Sequence, residues 1–241
     1  VFVSLATTRK LYHTKFVLSI LFLKFFWFFL ASLKLNKKTN LTIELGLQTI
    51  NDKTSKLINR CHSLECFEKM VTKLRNKNID VTFPLKEETK KLINDMLEHL
   101  YYSQIEEYSE KYELRPGMGL AAPQVGVNER FFVVCHEESE NKFKNYILIN
   151  PQMISHSEEL IYASEGEGCL SVNRDVEGIV PRYARVTFTG YDLDGKPVKY
   201  RAREELSIAF QHEMDHLNGI LFIDHIDPKN PYKNKDYMRE I

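Results

Sequence analysis

An α+β fold, with antiparallel sheet packed around one helix that carries the chemistry, is what this 241-residue sequence predicts. Three observations lead there. Between residues 130 and 202 several short runs rich in Val, Ile, Phe and Thr are divided by turn residues, the pattern of strands. The helical stripe at 84–103 stands apart from those runs and does not alternate with them, which argues against a parallel βαβ sheet. Near the C-terminal end, an apolar helix-forming run leads into His212-Glu213-Met214-Asp215-His216.

The elements follow in chain order. Segment 84–103 (PLKEETKKLINDMLEHLYYS) places Leu92, Ile93, Met96, Leu97, Leu100 and Tyr101 on one helical face. Residues 115–126 (RPGMGLAAPQVG) read as a tight glycine loop, because Pro123 interrupts any helix. Gly117-x-Gly119 is not a dinucleotide fingerprint, since no strand-to-helix unit surrounds it. Residues 130–135 and 146–154 read as strands. Residues 184–191 (ARVTFTGY) alternate, Asp192-Leu193-Asp194-Gly195 makes a turn, and 197–202 returns as a hairpin partner. Residues 204–211 (EELSIAFQ) begin the last helix, with Leu206, Ile208, Ala209 and Phe210 available to a core. Leu217-Asn218-Gly219 resembles its end, with Gly219 suited to the left-handed cap. A short apolar run, 220–223, follows. The tail beyond Asp227 is polar and reads as loose. There are no internal repeats.

The organisation expected is an N-terminal extension over 1–70, a catalytic domain over 71–230 and a polar tail over 231–241. At 43% apolar residues the chain can build a real core. Net charge is zero but uneven: residues 1–43 carry seven Lys or Arg and no acid, leaving 26 basic against 33 acidic side chains in the rest. Nothing in that remainder looks like a basic nucleic-acid surface, so no nucleic-acid binding is expected. Residues 16–33 (FVLSILFLKFFWFFLASL) are strongly apolar, and 18 residues can just span a bilayer despite Lys24. Signal peptide, membrane anchor, organelle leader and wrongly joined upstream extension are all open readings, and the sequence opens on Val1. Membrane contact is expected only if this segment is native. Residues 34–70, rich in Lys, Asn and Thr, read as a linker. Four cysteines suggest no disulfide framework. Cys61 and Cys66 with His62 mimic a metal site, but the spacing is loose and nothing pairs with it.

The chemistry begins with H-E-x-x-H. On a helix, residues four apart share a face, so His212 and His216 can each offer one nitrogen to a single divalent ion. Glu213 adjoins the first of them, where a carboxylate can serve as general base. Five-residue matches arise by chance, so the neighbourhood matters. A zinc peptidase built on this motif needs a third ligand downstream. Downstream of His216 the candidates include Asp224, His225, Asp227 and Glu240, on a short tail. Upstream lies Glu165-Gly166-Glu167-Gly168-Cys169-Leu170-Ser171, where glycines permit close backbone approach and Cys169 offers a soft thiolate. A lone cysteine is more often a small buried apolar side chain; beside a two-histidine helix, the ligand reading is the better one. Cys169, His212 and His216 would leave a fourth position open, as a catalytic ion requires. In the glycine loop, Gln124 carries a primary amide that can donate to a developing oxyanion without changing its charge.

Taken together, GMGLAAPQVG, EGCLS and QHEMDHL, in that order, resemble the three signature motifs of the peptide deformylase family. The resemblance covers roughly residues 74–227. The long link from Tyr102-Ser103-Gln104 to Glu113-Leu114-Arg115 is similar to that of the type II group of low-GC Gram-positive bacteria. It implies Cys169, His212 and His216 as metal ligands and Glu213 as the acid and base. It puts the Gln124 side chain and the Leu170 N–H at the oxyanion, the Gly119 backbone at the formyl group and backbone near Gly168 at the peptide. The implied ion is Fe(II), with nickel, cobalt or zinc able to substitute. The implied substrate is the N-formyl-methionyl end of a nascent peptide, met near the ribosome exit in the cytoplasm. Met118, Ile208 and Ala209 are candidates for the wall of a methionine pocket, although core packing is as good a reading of any one of them. Relatives with the long link tend to end in a strand and have no counterpart to residues 16–33, so we favour a dispensable or wrongly joined extension there. The rivals are a zincin-type protease, a thiol hydrolase with Cys169 as nucleophile, and a closed structural metal site. The first leaves Cys169 and Gln124 without roles, and the last needs neither Glu213 nor Gln124.

Overall fold

In a computed structural model the described residues are 74–112, 114–172 and 176–241. The readings made for residues 1–70, including segment 16–33 and the Cys61/Cys66 pair, lie outside them. Helix α1 (Glu87–Ser103) starts three residues later than 84, because Lys86 is extended (φ −66°, ψ 145°). Glu87 and Glu88 then occupy the first turn, where acids favour the positive end of the helix dipole. The long link holds a short helix, α2 (Glu106–Tyr112), which no apolar stripe announced: it buries none of its residues.

The glycine loop is more ordered than expected. Gly119–Ala121 forms a strand, β1, antiparallel to β2 (Phe131–Ser139), with Gly119 opposite Val134. Ala122–Val125 then makes one 3-10 turn closed by Gly126 in the left-handed region (φ 81°). β3 (Lys142–His156) is the longest strand because it serves two neighbours. Its first half pairs with β2 and its second with β6 (Arg185–Tyr191), after register shifts between Ile149 and Gln152. β6 and β7 (Pro197–Arg203) form the expected hairpin. Its turn is tied by Asp192 Oδ1, which accepts from the N–H groups of Asp194 (2.9 Å) and Lys196 (2.8 Å). These five strands make one antiparallel sheet in the order β1-β2-β3-β6-β7.

β2 explains how the layers stack. Alternate residues of a strand face opposite sides. Phe131, Val133 and Cys135 enter one core with Leu92, Ile93, Met96, Leu97 and Leu100 of α1. Phe132 and Val134 enter the other, against α3 (Glu204–Leu217). A strand buried on both faces reads as continuous apolar residues, which is why FFVVC does not alternate. Phe210 of α3 anchors the second core. It is fully buried, and the rings of Phe132, Tyr146, Phe188 and Tyr200 meet it edge-on at 5.7, 5.5, 5.6 and 6.4 Å. Phe210→Ala is therefore expected to lower the unfolding free energy by about 3–5 kcal/mol, read as a shift of the urea midpoint at constant slope.

A second sheet was not anticipated: β5-β4-β8, with β4 (Leu160–Tyr162), β5 (Arg182–Tyr183) and β8 (Arg239–Glu240). The polar tail is thus not loose: β8 pairs in parallel with β4, so the described chain ends in a strand, as relatives with the long link led us to expect. Among the described residues no helix is long and apolar enough to cross a membrane.

Candidate active site

Three segments distant in sequence, joined by Ile241, line one cavity of about 640 Å³, a size suited to a small ligand or a peptide end. They are the glycine segment 115–124, the stretch 163–170 and one face of α3. The sheet holds α3 by Leu206, Phe210 and Leu217, and His212, Glu213 and His216 are buried with them. The two imidazoles stand edge to face at 4.9 Å. Cys169 is buried, and its Sγ lies 3.2 Å from His216 Nε2. Ligand atoms of Cys169, His212 and His216 all fall within 4.8 Å of one another.

Whether these residues suit a metal ion can be judged from their surroundings. His212 Nδ1 is 2.9 Å from Glu167 Oε2. An ionised carboxylate only accepts, so Nδ1 carries the proton and Nε2 keeps its lone pair for a ligand. Glu167 is itself held by Arg182, whose Nε and a terminal nitrogen donate to it at 2.7 and 2.9 Å. Arg182 also donates to Asp215 at 2.6 Å. Burial alone would raise the Glu167 carboxyl, but the Arg182 guanidinium outweighs it and the pKa falls to about 2. Burial disfavours a charged His212, yet the adjacent Cys169 and Glu167 raise its pKa well above the usual value, so a cation taken up at Nε2 would release a proton from that ring. For His216, burial and the charge of His212 act together and lower it. A soft sulfur and two imidazoles, one fixed by an anionic partner, are a donor set that fits a divalent transition ion.

Glu213 is 3% exposed, and its Oε2 is buried without a hydrogen-bond partner, as is His216 Nδ1. Burial raises the Glu213 carboxyl to about 7; a cation among the three donors would draw it back toward the ionised form. Gly119 makes room for this carboxylate, because a Cβ there would lie 2.8 Å from Glu213 Cδ. Gln124 is 4% exposed, with its Oε1 accepting from Ala121 N–H at 2.8 Å. That bond fixes the amide so that Nε2 faces Ser171 Oγ (3.2 Å) and Cys169 Sγ (3.7 Å).

Met118, Gly119, Gly168, Leu170, Ile208 and Ala209 all line the cavity, and Met118 and Ala209 also pack on the second core. The four downstream candidates for a third ligand do not join the cluster. Asp224 pairs with Arg75, His225 with Asp215, Glu240 with the Tyr162 hydroxyl, and Asp227 accepts from Lys229 N–H. The sequence reading missed Glu167, Arg182 and Asp215, which are 15 to 48 residues apart and share no local pattern. An acid two positions before Cys169 was the one available hint of Glu167.

A three-donor cluster, a buried carboxylate beside it and an amide aimed across the cavity define the class: a metal-dependent hydrolase. Residues 61–232 match the family described as polypeptide deformylase. A peptide deformylase of Listeria monocytogenes is 49% identical over 158 residues, covering 66% of this chain and 86% of that one. The peptide deformylase 2 of Bacillus subtilis is 45% identical over 163 residues, 68% of this chain and 89% of that one. The crystal structure of a Plasmodium falciparum peptide deformylase superposes with a TM-score of 0.53 at 31% identity, covering 66% and 84%. The chain belongs to the polypeptide deformylase family, enzymes that hydrolyse the N-formyl bond of peptides, and these relatives from Listeria and Bacillus are consistent with the Gram-positive-like kind.

Proposed function

We propose that this chain frees the amino group of the N-terminal methionine of newly made polypeptides, with Glu213 carrying the proton and Cys169, His212 and His216 holding Fe(II). Nickel, cobalt or zinc would be accepted by the same donors. Bound there, the ion supplies Lewis acidity toward water and the formyl oxygen. Glu213 takes a proton from the water that attacks the formyl carbon. Gln124 Nε2 and the Leu170 N–H donate to the oxygen as it becomes negative. Glu213 then passes the proton to the amine as the C–N bond breaks, leaving formate and a free N-terminus. The backbone at Gly119 and Gly168 lies along the peptide, which runs extended beside 166–168. Met118, Ile208 and Ala209 enclose the methionine side chain. The observation that carries this reading is the unpartnered Glu213 carboxylate beside three donors that fit one ion.

A thiolate ligand calls for reducing surroundings, because an exposed or ill-liganded thiolate is readily oxidised. This supports a cytoplasmic site of action; a transient contact near the ribosome exit follows only from the nascent-peptide substrate. The catalytic unit starts near residue 71 and takes in the C-terminal strand β8, which an end at 230 would leave out, and residues 16–33 would add a membrane or targeting address only if native. The test is formate release from formyl-Met-Ala-Ser by the full chain, prepared without oxygen and loaded with Fe(II). A folded, metal-loaded protein that releases no formate would sink the reading. In the same assay Gln124→Leu is expected to lower kcat by roughly 10²–10³-fold with KM little changed, as loss of an oxyanion donor does elsewhere.

A further inference from the structure

The C-terminal strand ends in the wall of the cavity. Ile161 lies beside Arg239 and Tyr162 beside Glu240. The ladder then continues: Ile241 N–H donates to the Tyr162 carbonyl at 3.1 Å, and Ser164 N–H donates to the Ile241 carbonyl at 2.9 Å. So short a strand needs other anchors. Arg239 donates to both oxygens of Glu204, at 2.9 and 2.7 Å, and to Glu159 at 2.8 Å. The Tyr162 hydroxyl donates to Glu240 at 2.6 Å. Glu204 is the first residue of α3. The last strand is thereby tied both to β4 and to the helix that carries His212 and His216, and Ile241 lines the cavity with Ser164 and Glu165.

Past Ser164 the chain turns, with the Gly166 N–H donating to the Ala163 carbonyl at 3.0 Å and Gly166 in the left-handed region (φ 79°), and 166–168 then line the cavity. A peptide held along 166–168 with its formyl end at Cys169 runs from Gly168 toward that turn, where Ser164 bonds to Ile241. Strand residues advance about 3.3 Å each, so its third or fourth residue arrives where Ile241 stands. We propose that Ile241 forms the outer wall of the substrate groove and selects apolar side chains at the third and fourth positions of the peptide. The carboxylates of Glu165 and Glu205, which line the same cavity, oppose acidic side chains there. The proposal rests on the peptide reading above.

The test uses the full chain, metal-loaded, and four substrates: formyl-Met-Ala, formyl-Met-Ala-Leu-Leu, formyl-Met-Ala-Glu-Glu and formyl-Met-Ala-Lys-Lys. The readout is each long peptide's kcat/KM divided by that of formyl-Met-Ala in the same protein, which cancels differences in active fraction. The parent should prefer Leu-Leu over Glu-Glu. Ile241→Lys should raise the Glu-Glu ratio relative to Leu-Leu by roughly three- to tenfold, through KM, the scale of one altered side-chain contact. Ile241→Glu should move the preference toward Lys-Lys. Arg239→Gln, which unties the strand without touching the groove, should flatten the differences among the long peptides. A variant that merely unfolds lowers all substrates together and cannot invert a preference. Identical preferences in the parent and both Ile241 variants overturn the proposal. A parent that releases formate from none of the four, formyl-Met-Ala included, overturns the deformylase reading and this one with it.

Discussion

Glu213→Ala is expected to lower kcat/KM for a formyl-methionyl peptide by about 10²–10⁴-fold, the range typical of a positioned acid–base group, while the bound metal stays at its original stoichiometry. Both halves come from geometry. Glu213 is buried in the cavity that His212 and Cys169 also line, yet one of its oxygens has no partner among the described residues. A buried polar atom without a partner is costly unless the site uses it. The carboxylate is not one of the three clustered donors, so its removal leaves the ligand set whole. Alanine also opens space beside Gly119, so Glu213→Gln is the cleaner companion: it keeps the shape and cannot take the proton. Both variants should fail alike, with metal content followed by atomic absorption. Activity within tenfold of the parent in Glu213→Gln would remove Glu213 from the proton path.

Cys169→Ser is expected to lose the metal, and activity with it. Serine keeps the volume but offers a hydroxyl where the cluster has a soft thiolate, 3.2 Å from His216 Nε2. Because Cys169 belongs to the donor set itself, the loss of metal affinity should exceed the roughly 10–100-fold cost of removing an outer partner such as Glu167. The measurement is metal per protein after dialysis, together with formate release. The result also separates the rivals. A thiol hydrolase would keep its metal-independent activity under chelation and be killed by alkylation alone. Here a chelator should abolish activity, and bound metal should protect Cys169 from alkylation. A zincin-type protease would keep its metal in Cys169→Ser.

Some of this was open to reading from local sequence. His212 and His216 share a face because four residues make about one helical turn, a property that any helix over that run must have. The β6–β7 hairpin was legible because Asp192 and Gly195 carry their own turn chemistry, and α1 because its apolar stripe has a clear period. Other parts left no local trace. α2 buries nothing, so it has no stripe to detect. β1 looked like a loop because three residues with two glycines nearby give no alternation. By its own residues β8 looked like a loose tail, because two polar residues cannot announce a strand; only the family resemblance pointed to one. Arg182 could not be singled out among the 33 basic residues; its partners Glu167 and Asp215 are distant in sequence, and only the folded chain brings them within 3 Å.

What the sequence by itself determined about this chain was the reacting groups: two histidines and a glutamate on one helix, a cysteine among glycines, and an amide after a proline. Those are short-range facts, set by residue type and spacing. What only the tertiary structure decided was which of them meet, how each is oriented and what closes the cavity. The Glu167 contact fixes the His212 tautomer, the Ala121 N–H fixes the Gln124 amide, and Ile241 reaches the groove because β8 docks on β4. Each of those depends on packing between segments tens of residues apart, or on backbone hydrogen bonds whose partners residue type does not name.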